Sequence, residues 1–196
     1  MPTNRFVRGT LIKAVCALVL GVLALSGGSR AEAQPVSKSL AYKVKAAYLF
    51  NFTKYTDWPA RAFPQADSPI MIGILGTDPF GDLLEQTIGS RLVGDRRVRV
   101  HRSQRVEDLR QCHVLFIGDS EKDKWPAVLA DLKGTFALTV SEIPQFCLHN
   151  GMITFVIENG VVRFDVNLDA AEEAGLKISA RMLNTAKTVY SRNRNH

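Results

Sequence analysis

The chain has 196 residues, 46% hydrophobic and 22% charged, with a formal net charge of +6. These proportions are those of an ordinary globular protein. The positive charge is unevenly placed. Residues 1–33 hold Arg5, Arg8, Lys13 and Arg30 against Glu32 alone, so the remaining residues carry only +3. Much of the apparent basicity is therefore local, and a nucleic-acid-binding reading loses its main support.

The beginning of the sequence reads as an address. Arg5, Arg8 and Lys13 form a basic start, and residues 14–25 are an almost uninterrupted apolar run. Such a run, about 12 residues long, falls short of the roughly 20 that a membrane span needs. Ala31-Glu32-Ala33 then offers small residues at the two positions a signal peptidase reads. We read residues 1–33 as a signal peptide and residues 34–196 as one exported domain. Cys16 lies in the apolar run without a lipobox, so no lipid anchor is expected. Cys112 and Cys147 remain, permitted by export to pair but too sparse for a disulfide scaffold.

A helix is predicted from Ser37 as its cap, with Leu40, Val44, Ala47, Tyr48 and Phe52 as its apolar stripe, widened by Leu49 and Phe50, and Lys38, Lys43 and Lys45 off it. Pro59 ends it, because the residue before a proline is pushed out of the α region. Residues 60–69 read as a loop. Residues 70–75 are a continuous apolar run, suited to a strand buried on both faces. Asp78 and Pro79 then place a helix over residues 80–88, stopped by Gly89. The Arg96-Arg97-Val98-Arg99-Val100-His101-Arg102 run reads as an edge strand carrying solvated charges. Residues 113–117 form a third strand, residues 122–132 a helix, and residues 136–140 a fourth strand.

The loop 141–150 leads to two apolar runs around Asn159-Gly160, the dipeptide that a type I′ hairpin turn demands. Strands are expected over residues 152–157 and 161–167. Beyond them Leu176, Ile178, Met182, Leu183, Ala186, Val189 and Tyr190 fall mostly at helical spacing, which predicts a C-terminal helix. Alternating strands and helices imply right-handed βαβ units. The fold class is therefore α/β: a three-layer sandwich, its sheet mostly parallel, with a C-terminal antiparallel hairpin and helices on both faces.

No catalytic set emerges. Gly73 to Gly76 lacks the full glycine fingerprint of a phosphate loop, and no two of the four histidines share metal-binding spacing on a helix. Cys112 and His113 would point to opposite faces of a strand. The aromatic bulk is conspicuous instead: Tyr48, Phe50, Phe52, Tyr55, Trp58 and Phe63, with Phe146 in the later loop. Most of it suits a core. Trp58, beside a proline at a helix exit, also suits an interaction surface. An enzyme is not expected, nor a cofactor or metal.

Several ordered blocks carry a resemblance. They are Lys45-Ala46-Ala47-Tyr48-Leu49-Phe50-Asn51-Phe52 with Tyr55-x-x-Trp58-Pro59, Gly76-x-Asp78-Pro79-Phe80-Gly81, and Cys112-His113-Val114-Leu115-Phe116-Ile117. Gly151-Met152-Ile153-x-Phe155, Arg163-Phe164-x-Val166-Asn167 and Ala174-Gly175-Leu176-Lys177-Ile178-Ser179 follow. Together they resemble the YfiR family, also called HmsC-like. The resemblance implies a periplasmic repressor that binds the periplasmic domain of an inner-membrane diguanylate cyclase, lowering cyclic-di-GMP signalling and biofilm formation. It also implies sequestration by an outer-membrane lipoprotein, a homodimer, and disulfides in relatives richer in cysteine. Cys112 and Cys147, each placed as half of a different pair, are this chain's redox candidates. The partner surface is expected around Trp58, Phe146, Arg163, Asn167 and Lys177. The competing reading is a periplasmic small-molecule-binding module without a cyclase partner, its pocket near Gly76 and Asp78 at the carboxyl ends of the parallel strands.

Overall fold

The computed structural model describes residues 37–192, so the signal peptide expected over residues 1–33 lies outside them. Helix α1 (Lys38–Tyr55) starts where the Ser37 hydroxyl accepts the Leu40 N–H, satisfying one of the free donors of its first turn. It passes directly into β1 (Thr56–Asp57) ahead of Trp58-Pro59.

The buried face of α1 takes in the expected Leu49, Phe50 and Phe52, but it leaves out Leu40 and takes in Lys45. Ala41, Lys45, Ala46, Leu49, Phe50, Phe52 and Thr53 are buried, whereas Leu40 is 52% exposed. Lys45 turns inward because Glu142 meets it from across the fold. Lys45 Nζ donates to Glu142 Oε2, and the Tyr42 hydroxyl donates to Oε1 at 2.7 Å. A buried ammonium is tolerated only with such a partner.

Next come β2 (Ile70–Leu75), α2 (Leu83–Ile88), β3 (Leu92–Val93), β4 (Arg96–Ser103) and β5 (Val114–Ile117). They are followed by α3 (Trp125–Asp131), β6 (Leu138–Ser141), β7 (Ile153–Glu158) and β8 (Val161–Asn167). Two of these helices start later than predicted. Asp78 does accept the Phe80 N–H, at 2.7 Å, but the chain turns again at Gly81 (φ +52) before α2 begins. A 3₁₀ turn over Asp119–Glu121 likewise occupies the residues ahead of α3. Asn159 (φ 49) and Gly160 (φ 75) make the predicted turn between β7 and β8.

The C-terminal helix is not formed. Its residues divide into α4 (Leu168–Glu173), β9 (Lys177–Ile178), α5 (Ala180–Leu183) and β10 (Thr188–Tyr190). Gly175 (φ 77) stops the first helix, Ser179 caps the second, and both short strands find edges to join. β9 pairs antiparallel with β1, and β10 pairs parallel with the outer side of β8. Strand pairing outweighed the helical spacing of the apolar residues.

Among the described residues the main sheet has eight strands, in the order β10-β8-β7-β6-β5-β2-β4-β3. β2, β4, β5, β6 and β7 run parallel, and the β7–β8 hairpin is antiparallel. Residues alternate between its faces. Ile72, Ile74, Val114, Phe116, Leu138, Val140, Phe155 and Phe164 face one core, closed by α1, α2, α4 and α5. Leu75, Leu115 and Ile117 face a second, closed by α3 and by Val106, Leu109 and Phe146. This is the expected α/β sandwich, helices on both faces.

Candidate functional site

The most distinctive chemistry outside the cores follows the exit from α1. Trp58 is half-buried, and its indole N–H donates to the Phe136 carbonyl at 2.8 Å. That bond fixes the loop after β1 to the chain entering β6. Arg61 lies over the Phe136 ring at 5.0 Å and Arg96 over the Phe63 ring at 3.8 Å. Arg181 covers Tyr55 at 5.3 Å. Guanidinium groups above aromatic faces hold both partners in place. The result is a seam of alternating rings and arginines, with Arg61, Lys177 and Arg181 exposed on it.

His113 forms the floor of this seam. Phe63 stacks on it at 4.5 Å and Trp58 meets it edge-on at 5.6 Å. The Met71 N–H donates to its Nδ1 at 3.1 Å, so the proton of the neutral ring sits on the buried Nε2. Burial pushes the imidazole down to about 4; the nearby Arg96 charge adds to the effect, and the Ala62 backbone opposes it. The ring is neutral at ordinary pH.

The expected partner residues do not converge on one place. Trp58 and Lys177 do meet at one end of the sheet, since Asp57 pairs with Lys177 in the β1–β9 ladder. Arg163 lies two residues from the hairpin turn, on the sheet face opposite Phe164, at the other end. Asn167 faces inward: its side chain caps α4 through the Ala170 N–H and donates to the Cys147 carbonyl. Phe146 is wholly buried, because Gly151 leaves room for its ring. The loop that carries it folds into the second core, which removes Phe146 from any surface in this conformation. Arg61, Phe136 and Arg181 join the seam without having been singled out in the sequence. Only the tertiary approach of their elements brings them there.

Cys112 and Cys147 are both free and buried. They belong to different surroundings, Cys112 in the second core and Cys147 against the Asp165 carbonyl. Burial pushes the thiols up to about 12 and about 11 respectively, so little thiolate is available at neutral pH. Cys112 and His113 do face opposite ways, toward the second core and toward Trp58.

The loops after β2 and β5 leave little space for a ligand near Gly76. A Cβ on Gly76 would lie 2.2 Å from Ser120 Oγ and 2.7 Å from Glu121 Oε1. Asp78 accepts the Phe80 N–H at Oδ1 and the Arg102 Nε–H at Oδ2. A cleft of about 580 Å³ lies elsewhere, between α3 and α4, lined by Trp125, Leu129, His149, Met152, Ala170 and Glu173 among others. Among the described residues no group of three or more His, Cys, Asp or Glu side chains is placed to hold a metal ion.

Fold and surface together define an α/β sandwich whose exposed chemistry is an arginine–aromatic seam. The sequence places the chain in a family: residues 42–187 match the YfiR/HmsC-like profile, and the protein belongs to that family. Comparison with curated protein sequences gave no match. Among solved structures, an ABC domain from Streptococcus pneumonia in complex with L-Trp is similar in fold, at 11% identity and a TM-score of 0.50. The match covers 74% of this chain but only 60% of that one. A conserved domain protein from Vibrio cholerae O1 biovar El Tor matches at 8% identity and a TM-score of 0.46, over 61% of this chain and 54% of that one.

Proposed function

We propose that the chain is a periplasmic regulatory protein that binds the periplasmic domain of an inner-membrane diguanylate cyclase and represses it. The consequence is lower cyclic-di-GMP signalling and less biofilm. The family match over residues 42–187 carries this reading. It is supported by a signal-peptide pattern in residues 1–33 and by the fact that no described helix is long and apolar enough to cross a membrane.

The seam is the contact surface in this proposal. Half-buried Trp58 anchors it, and Arg61, Lys177 and Arg181 surround the anchor with charge. Anchors of this type supply most of the affinity at protein interfaces. A homodimer and an outer-membrane lipoprotein are further partners in the same proposal. The test is a calorimetric titration of the mature chain with the cyclase's periplasmic domain. Saturable binding is expected, weakened about 30-fold or more by Trp58→Ala, the loss typical of an interface anchor. No heat of binding from the intact protein contradicts the proposal.

The cleft between α3 and α4 favours a second reading, a module for a small molecule, because about 580 Å³ with apolar and polar lining suits a ligand of moderate size. A metabolite that raises the melting temperature, and loses that effect in Leu129→Trp, would support it.

A further inference from the structure

We propose that the outer edge of the main sheet, β3 with β4, is a seat for the phosphate-bearing surface of an anionic lipid bilayer. This goes beyond the cyclase reading and does not depend on it. Strand alternation sorts the basic residues of β4 into two sets. Arg96 and Arg102 share a face with Val98 and Val100, and their charges are spent within the fold. Arg96 bonds the Ser68 carbonyl and covers Phe63, and Arg102 binds Asp78 and Glu85. Arg97, Arg99 and His101 take the other face, and all three are exposed.

Among the described residues, Arg97 and Arg99 make no ion pair with any carboxylate, so their charge is directed outward. Leu92 sits opposite Arg97 in the β3–β4 ladder and is 52% exposed. Around them is a shallow cleft of about 590 Å³ lined by Ser90, Arg91, Leu92, Asp95, Arg97 and Arg99 among others. Among the described residues Asp95 is the one acid in that lining.

This combination matches a bilayer's headgroup zone. An arginine fork takes phosphate oxygens two at a time, and one exposed leucine flanked by cations suits the boundary between headgroups and acyl chains. A protein partner would need roughly 800 Å² of contact and the aromatic anchors common in such interfaces. Among the described residues no aromatic side chain lines this cleft.

The described residues 37–192 contain both cores, so the mature chain, residues 34–196, can be tested by itself. The assay is co-sedimentation with vesicles of phosphatidylcholine alone and with vesicles in which a quarter of the lipid is phosphatidylglycerol. Binding to the anionic vesicles only is expected. Removing both charges in R97A/R99A should weaken it roughly 25-fold, about fivefold for each arginine near the surface. Lys122→Ala with Lys124→Ala, a double variant that removes two exposed cations elsewhere, should leave it nearly unchanged, and circular dichroism should show every variant folded. Equal binding to both vesicle types overturns the proposal, as does an equal loss in the lysine variant. Displacement by inorganic phosphate but not by chloride of matched ionic strength also overturns it, because the edge would then be a site for free phosphate.

Discussion

His113 makes the stability of this protein depend on acidity in a way that can be calculated. The ring is 3% exposed, held under Phe63 and Trp58, and titrates near 4 instead of the usual 6.5. Between those two values the unfolded chain binds a proton that the folded chain does not. Unfolding is therefore favoured as pH falls through this window, and the slope is about 1.4 kcal/mol per pH unit. Going from pH 7 to pH 4 should cost about 3 kcal/mol from this residue alone, a large share of the 5–15 kcal/mol typical of a domain. The reference is His113→Asn, whose side-chain oxygen can keep the hydrogen bond that Met71 donates to Nδ1 but cannot titrate. Urea denaturation of both proteins at several pH values isolates the difference, because the carboxylates titrate alike in the two. Wild type should lose about 3 kcal/mol more than the variant across the window. Parallel stability curves for the two proteins would refute the reasoning.

Other consequences follow from packing and burial. Phe164 meets Tyr48 and Phe52 with ring centroids 5.2 Å away in each case, joining the hairpin to α1. Phe164→Ala should therefore cost about 3–5 kcal/mol in a denaturant titration. Lys45→Ala leaves Glu142 without its ammonium partner and should cost about 3–5 kcal/mol, with Lys45→Ala/Glu142→Gln recovering part of the loss. Gly151→Ala places a methyl group 2.2 Å from the Phe146 ring, and should lower stability by about 1–3 kcal/mol. Cys112 and Cys147 should resist a thiol reagent in the native protein and both react once it is unfolded, as free buried thiols must.

The parts of the fold legible in the sequence were those set by local rules. Residues 70–75 are apolar throughout because β2 is covered on both sides, and that signal survives without any knowledge of neighbours. Asn159-Gly160 specified its turn because few other residues adopt two consecutive positive φ values. The alternation of arginine and valine placed β4 at the edge, one strand too far out: the two-residue β3 lies outside it and pairs with Arg96 and Arg97.

What escaped was decided by distant partners. Lys45 reads as a surface residue until Glu142, far along the chain, is placed beside it. Residues 176–190 have a helical apolar pattern, yet β1 and β8 present open edges that draw them into strands. Gly175 was the available warning, since a helix through it carries a local cost. The seam was half legible: Trp58 stood out by its place before Pro59, but Arg61, Phe136 and Arg181 gain meaning only when the ends of α1, β6 and α5 come together. Phe146 was misplaced because a loop was assumed to be superficial, whereas this one turns its phenyl ring into the core.

The most direct test of the regulatory account is the diguanylate cyclase activity of inner-membrane preparations, measured with and without the purified mature chain on the periplasmic side. The account predicts that cyclic-di-GMP synthesis falls as the chain is added, and that Trp58→Ala, folded by circular dichroism, represses far less. Synthesis that stays constant at saturating amounts of the intact protein would contradict it.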